Sequence, residues 1–124
     1  MTVLIVDDEI FARLCLIKLL RNYDSKIAVF EASDGFDAYE IYKKVKPDIV
    51  ITDILMKGCT GGHWLIETLL SHECNSKLVI ASGLPISKTL KYKLMGADAC
   101  LSKPIKYNEL YKILDNVKEN INAC

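Results

Sequence analysis

Four short polar groups each follow directly on an apolar run. Asp7-Asp8-Glu9 follows Val3–Val6, Asp53 follows Ile49–Thr52, Ser82-Gly83 follows Leu78–Ala81, and Ser102-Lys103-Pro104 follows Ala99–Leu101. Brought together, they would place three carboxylates (Asp7, Asp8, Asp53), one hydroxyl (Ser82) and one ammonium (Lys103) in a single site. Crowded carboxylates raise one another's pKa and strain the fold unless a cation relieves them. Lys103 supplies one cation, but an ammonium on a flexible stem is a point charge and cannot bridge every carboxylate. An all-oxygen set with few ligands and room for water suits Mg2+. Asp8 and Asp53 would hold it, with Asp7 acting mostly from behind them or through water. A carboxylate beside such an ion and a lysine is a credible phosphoryl acceptor, because both cations stabilise charge on the equatorial oxygens during in-line transfer. The Ser82 hydroxyl could donate to a phosphoryl oxygen once that group has arrived.

Each group also has an ordinary explanation when taken alone. An acidic pair after a strand is often a loop or helix-capping feature, and a lone Asp there is more often a cap than a nucleophile. Ser82-Gly83 alone is a turn, and Lys103-Pro104 alone is a solvated lysine before a loop. The joint reading gains its force from position, because all four groups stand at the ends of strands in a fold that builds its sites there.

The positioning elements are read from periodicity. Short apolar, β-branched runs at Val3–Val6, Ile27–Phe30, Ile49–Thr52, Leu78–Ala81 and Ala99–Leu101 alternate with stretches of helical period. The runs are nearly all apolar, as expected of parallel strands covered on both faces. Helices are expected from about Ile10 to Asn22, with Ile10, Leu14 and Ile17 on one face, and from Ser33-Asp34-Gly35, where Ser33 or Asp34 can cap, to just before Pro47. Others are expected over roughly Gly62 to His72, from near Ser87 to a stop at Gly96, and over about Tyr107 to Asn120 with Leu110, Ile113, Leu114 and Val117 as its stripe. Five strands alternating with five helices imply a doubly wound α/β fold. The common five-stranded solution, expected here, is the flavodoxin-like parallel order 2-1-3-4-5, in which ligands sit beyond the carboxyl ends of the strands where the order switches between strands 1 and 3.

Composition is consistent with this. The 124 residues suffice for one domain over 1–124, and 51% are apolar against 26% charged. Sixteen basic and sixteen acidic residues cancel, which lends no support to non-specific nucleic-acid or membrane binding. The apolar start ends at Asp7, too soon for a signal peptide or a membrane span. The five cysteines (Cys15, Cys59, Cys74, Cys100, Cys124) are odd in number and irregularly spaced, so neither a zinc site nor a disulfide framework is expected. They read as reduced thiols in a cytoplasmic protein, with Cys15 and Cys100 as small core hydrophobes.

The motifs together resemble the receiver domains of two-component signalling, over the whole chain. "VLIVDDE" is similar to the family's opening acidic motif, "PDIVITDILM" to the strand carrying the phosphoacceptor, "VIASG" to the strand ending in the switch hydroxyl, and "GADACLSKP" to the segment ending in the family's lysine and proline. The resemblance implies that Asp53 is phosphorylated and that Asp8, Asp53 and the Leu55 backbone carbonyl are metal ligands, with Asp7 completing the acidic pocket. It further implies that Ser82 is the switch hydroxyl, that Lys103 pairs with the phosphoryl group, and that the Lys103–Pro104 bond is cis. The chain departs from the pattern at Lys57, where the family has proline, followed by Gly58-Cys59-Thr60-Gly61-Gly62. It departs again at Cys100, where the family's aromatic switch residue would stand, and at Ala99, which lacks the acidic residue of many regulators that dimerise through helix 4, strand 5 and helix 5.

The resemblance implies a phosphorylation-controlled switch supplied by a sensor histidine kinase or phosphotransfer protein. It would pass its state to a downstream partner through the helix 4–strand 5–helix 5 face, with no nucleic-acid binding of its own. The domain would catalyse only its own phosphorylation and dephosphorylation. A phosphorylation-independent interaction module is the alternative. Lys57 and Cys100 favour it, and the complete set of Asp7, Asp8, Asp53, Ser82 and Lys103 argues against it. An aspartyl-phosphate hydrolase would place its nucleophile after strand 1 with a second acid two residues on, which Asp7-Asp8-Glu9-Ile10 does not match. The chain stops after its fifth helix, as expected of a stand-alone receiver or the N-terminal part of a larger regulator.

Overall fold

The computed structural model describes residues 1–56, 61–72 and 75–122. Five strands, β1 (Thr2–Val6), β2 (Ala28–Ala32), β3 (Ile49–Thr52), β4 (Lys77–Ser82) and β5 (Ala99–Ser102), alternate with five helices. The helices are α1 (Ile10–Tyr23), α2 (Gly35–Val45), α3 (Gly62–Ser71), α4 (Ile86–Met95) and α5 (Tyr107–Asn122). The strands form one sheet in the order β2-β1-β3-β4-β5, with every neighbouring pair parallel. This is the expected doubly wound arrangement.

Period-two alternation along the central strands divides the core. Val3, Ile5, Ile49, Ile51 and Val79 pack with Leu16 and Leu20 of α1 and Leu110, Leu114 and Val117 of α5 on one face. Leu4, Val6, Val50, Leu78 and Ile80 pack with Ala38 of α2, Leu65, Ile66 and Leu69 of α3 and Tyr92 of α4 on the other. Burial on both sides explains why these strands are continuously apolar. Asp34 caps α2 by accepting the Asp37 N–H at 2.8 Å. Gly96 ends α4 at φ +126°, a backbone region that favours glycine. The Lys103–Pro104 peptide is cis.

Three expectations are corrected. The buried face of α1 is carried by Leu16 and Leu20, while Ile10 and Leu14 are 56% and 51% exposed. The helix is rotated relative to the expected stripe, because Leu16 and Leu20, one turn apart, face the sheet. β2 is not covered on both faces: it pairs only with β1, and Ala28, Phe30 and Glu31 are exposed. Of the two cysteines expected in the core, Cys15 is exposed on α1 and Cys100 is only partly buried. Burial pushes the Cys100 thiol up, more than the nearby Lys93 charge and the bond to the Thr89 carbonyl pull it down, so nothing activates it. Cys59, Cys74, Cys124 and Lys57 lie outside the described residues. Among the described residues, no helix is long and apolar enough to cross a membrane.

Candidate functional site

The carboxyl ends of β1, β3, β4 and β5 bring Asp7, Asp53, Ser82 and Lys103 to one edge of the sheet. Parallel ladders do this by continuing one residue past the strands. The Asp7 N–H donates to the Ala32 carbonyl at 3.1 Å, the Asp53 N–H to the Val6 carbonyl at 3.0 Å, and the Lys103 N–H to the Ser82 carbonyl at 2.9 Å. Side-chain direction then follows from backbone register, so residues 21 to 96 positions apart converge without any local sequence relation.

Lys103 is the hub. Its ammonium donates to Asp7 Oδ2 at 2.5 Å and to Asp53 Oδ2 at 2.7 Å. The second oxygen of each carboxylate is held by backbone: Asp7 Oδ1 accepts the Glu9 N–H at 3.0 Å, and Asp53 Oδ1 accepts the Ile54 N–H at 2.7 Å. Asp7 is buried and the Asp53 side chain is 13% exposed, so both charges sit partly out of water. Burial pulls the Lys103 ammonium down, but the bonds to Asp53 and Asp7 and their charges more than offset it, leaving the lysine above its ordinary value and fully charged near neutral pH. Ser82 is buried and its Oγ accepts the Leu84 N–H at 3.0 Å. A hydroxyl that accepts still has a proton to donate.

Asp8 follows Asp7 at the same strand end and is half-buried. Leu55 lies just beyond Asp53, its side chain 64% exposed. Among the described residues, no three acidic, histidine or cysteine side chains are gathered into a cage for a metal. Mg2+ does not ask for one, since it keeps several waters and takes one or two carboxylates. The donor chemistry of Asp8, Asp53 and the Leu55 carbonyl fits that ion.

Two residues of the site are missing from the sequence reading. Gly62, at the start of α3, lies against the phosphoacceptor candidate: a Cβ there would stand 1.9 Å from the Asp53 carbonyl oxygen. In the sequence Gly62 was legible only as the end of a glycine-rich loop and the start of a helix, since the close approach exists only once α3 is docked. Arg13 folds back from α1 to donate to the Asp7 carbonyl at 2.7 Å and to Glu31 Oε1 at 3.0 Å. Its position one turn into the helix after the acidic pair was the one available signal.

Known proteins share this fold. A family model described as the response regulator receiver domain matches residues 3–115. The chemotaxis protein CheY of Thermotoga maritima is 30% identical over 118 residues, covering 94% of this chain and 97% of that protein. Among solved structures, the signal receiver domain of a DNA-binding response regulator from Colwellia psychrerythraea superposes with a TM-score of 0.84 at 27% identity, covering 96% of this chain and 98% of that one. The chemotaxis response regulator CheY4 of Vibrio cholerae gives 0.78 at 27% identity, covering 94% and 97%.

Proposed function

The chain belongs to the response regulator receiver domain family, and from that premise we propose that residues 1–124 act as one phosphorylation-controlled switch with Asp53 as phosphoacceptor. The observation that carries this reading is the single ammonium of Lys103 held between Asp7 and Asp53 at 2.5 and 2.7 Å. A structural ion pair needs one partner. A lysine shared by two partly buried carboxylates leaves negative charge in excess, which suits a site that receives a further cation and a phosphoryl group.

In the proposed reaction a carboxylate oxygen of Asp53 attacks the phosphorus of a phosphohistidine on a sensor kinase or phosphotransfer protein. The new P–O bond forms as the P–N bond breaks, and the imidazole, carrying a proton on its other ring nitrogen, leaves neutral. Lys103 stabilises charge on the transferred group, and the Ser82 hydroxyl donates to one of its oxygens. Asp8, Asp53 and the Leu55 carbonyl would hold Mg2+, which would supply electrostatic stabilisation of the transferred group. Asp7 keeps Lys103 in place. Attack of water on phosphorus breaks the P–O bond, releases phosphate and restores Asp53. The domain acts on no other substrate. Its site in the cell, on this reading, is the cytoplasm, and its output passes through the α4–β5–α5 face, where a cleft of about 490 Å3 is lined by Ile86, Leu90, Cys100 and Ile113 among others.

Incubation with Mg2+ and acetyl phosphate tests the reading. An acid-labile adduct should form on Asp53, be absent in Asp53→Asn, and form poorly in Lys103→Ala. Full labelling of Asp53→Asn, or phosphate mapped to Ser82, would overturn it.

A further inference from the structure

Asp7 makes more contacts than its charge explains. Its N–H is held by Ala32 of β2, one carboxylate oxygen by the Glu9 N–H, the other by Lys103, and its carbonyl by Arg13. The last of these constrains the next residue. The Asp7 carbonyl and the Asp8 N–H belong to one planar peptide, so fixing the carbonyl fixes the plane from which Asp8 departs. The Arg13 side chain is only 15% exposed. Its guanidinium is a planar fork, and two of its nitrogens are engaged by different elements: Nη1 by the end of β1 and Nε by Glu31 of β2. Glu31 lies opposite Ile5 in the ladder, two residues before Asp7, so the second anchor is itself tied to the strand that carries the acidic loop.

We infer that Arg13 is a positioning residue for the cation site: it pins the Asp7–Asp8 peptide and so aims the Asp8 carboxylate at Mg2+, while Glu31 holds the guanidinium away from the carboxylates it would otherwise neutralise. This rests on the proposed reading of Asp8 and Asp53 as metal ligands. It gives Glu31, an exposed residue of an edge strand, a role in the chemistry at the strand end.

The expected effect of losing Arg13 is opposite in sign to that of plain electrostatics. Removing a positive charge beside an acidic site should tighten Mg2+ binding if Arg13 acts only through its field. If Arg13 orients Asp8, Arg13→Gln should weaken binding. Residues that orient metal ligands from behind typically change affinity about tenfold or more. The measurement is the Mg2+ dissociation constant by isothermal titration calorimetry on the folded apo chain, with far-UV circular dichroism confirming the fold. Arg13→Lys, which keeps the charge and loses the fork, should weaken binding as well. Glu31→Gln, which keeps an acceptor oxygen for Nε, should stay near wild type, and Glu31→Leu should weaken binding. Lys118→Gln, on the exposed side of α5, controls for net charge. Should Arg13→Gln fail to fold, Arg13→Lys and the Glu31 pair read the same question. Unchanged or tighter binding in the Arg13 variants would overturn the inference alone. A wild-type chain that binds no Mg2+ would overturn the reading of the site and the inference with it.

Discussion

At Asp53 the two carboxylate oxygens are held differently, Oδ1 by the Ile54 N–H and Oδ2 by Lys103. The residues two beyond Asp53 and two beyond Ser82 are Leu55 and Leu84, the first 64% exposed and the second packed against the core. On the proposed reading, and by their resemblance to positions that flank the phosphoryl group in receivers, they would bear on its lifetime. Neither can orient an attacking water by hydrogen bonding. Slow self-dephosphorylation is expected relative to receivers with polar residues there. Leu55→Asn with Leu84→Glu should speed the decay of the aspartyl-phosphate by up to roughly a hundredfold, the low end of what a positioned polar group contributes. Equal decay in wild type and double variant would clear both positions, and Lys57, outside the described residues, would be the next to test.

At the scale of elements, α3 is seated against Asp53 and Ile54 at the end of β3 through Gly62, and its next residue, His63, meets the buried Tyr92 hydroxyl of α4 at 2.9 Å. Gly62→Ala would drive a methyl group into the Asp53 backbone, and relief requires α3 or the β3–α3 segment to move. Overpacking of this kind costs about 1–3 kcal/mol, and a denaturant titration should show that loss together with poorer phosphorylation. Wild-type stability in the variant would show that the helix end gives way freely. On the opposite face α1 and α5 are tied by Tyr23, whose hydroxyl meets Asp115 at 2.5 Å and whose ring packs on Tyr111 with centroids 5.0 Å apart. Partial burial, then the bond to Asp115, the Asp115 charge and the Asp24 charge push the phenol up to about 12. The unfolded value is near 10. The folded value is therefore the higher one: the bond contributes fully below about pH 10 and is lost as pH rises towards 12. Because the pair is exposed, the effect stays below about 1 kcal/mol. The wild-type melting temperature should fall more steeply than that of Tyr23→Phe between pH 10 and 12. Parallel curves would show the pair to be thermodynamically silent.

At the scale of the whole molecule, binding at the sheet edge should be visible as stability, because an ion that binds only the folded chain stabilises it by mass action. At about 100 times the dissociation constant this amounts to ~2.7 kcal/mol. Thermal melts with and without Mg2+ should differ by several degrees, and the shift should vanish in the double variant Asp8→Ala/Asp53→Ala. An equal shift in that variant would place the ion elsewhere. Much of this architecture could be read from the chain itself. The alternation of apolar runs and helical stretches determined five strands, five helices and their order, since connection handedness leaves few topologies. The rule that sites form at strand ends then singled out Asp7, Asp8, Asp53, Ser82 and Lys103. What the chain alone did not reveal shares one physical cause, dependence on how an element is rotated or docked. The outward turn of Ile10, Leu14 and Cys15 on α1 follows from which stripe meets the sheet. The contact of Gly62 with Asp53 exists only once α3 is seated. The reach of Arg13 to Asp7 and Glu31 joins a helix to two strands whose spacing in sequence carries no trace of it. Periodicity records which residues share a face, while only tertiary packing decides which face turns inward and which side chains then meet.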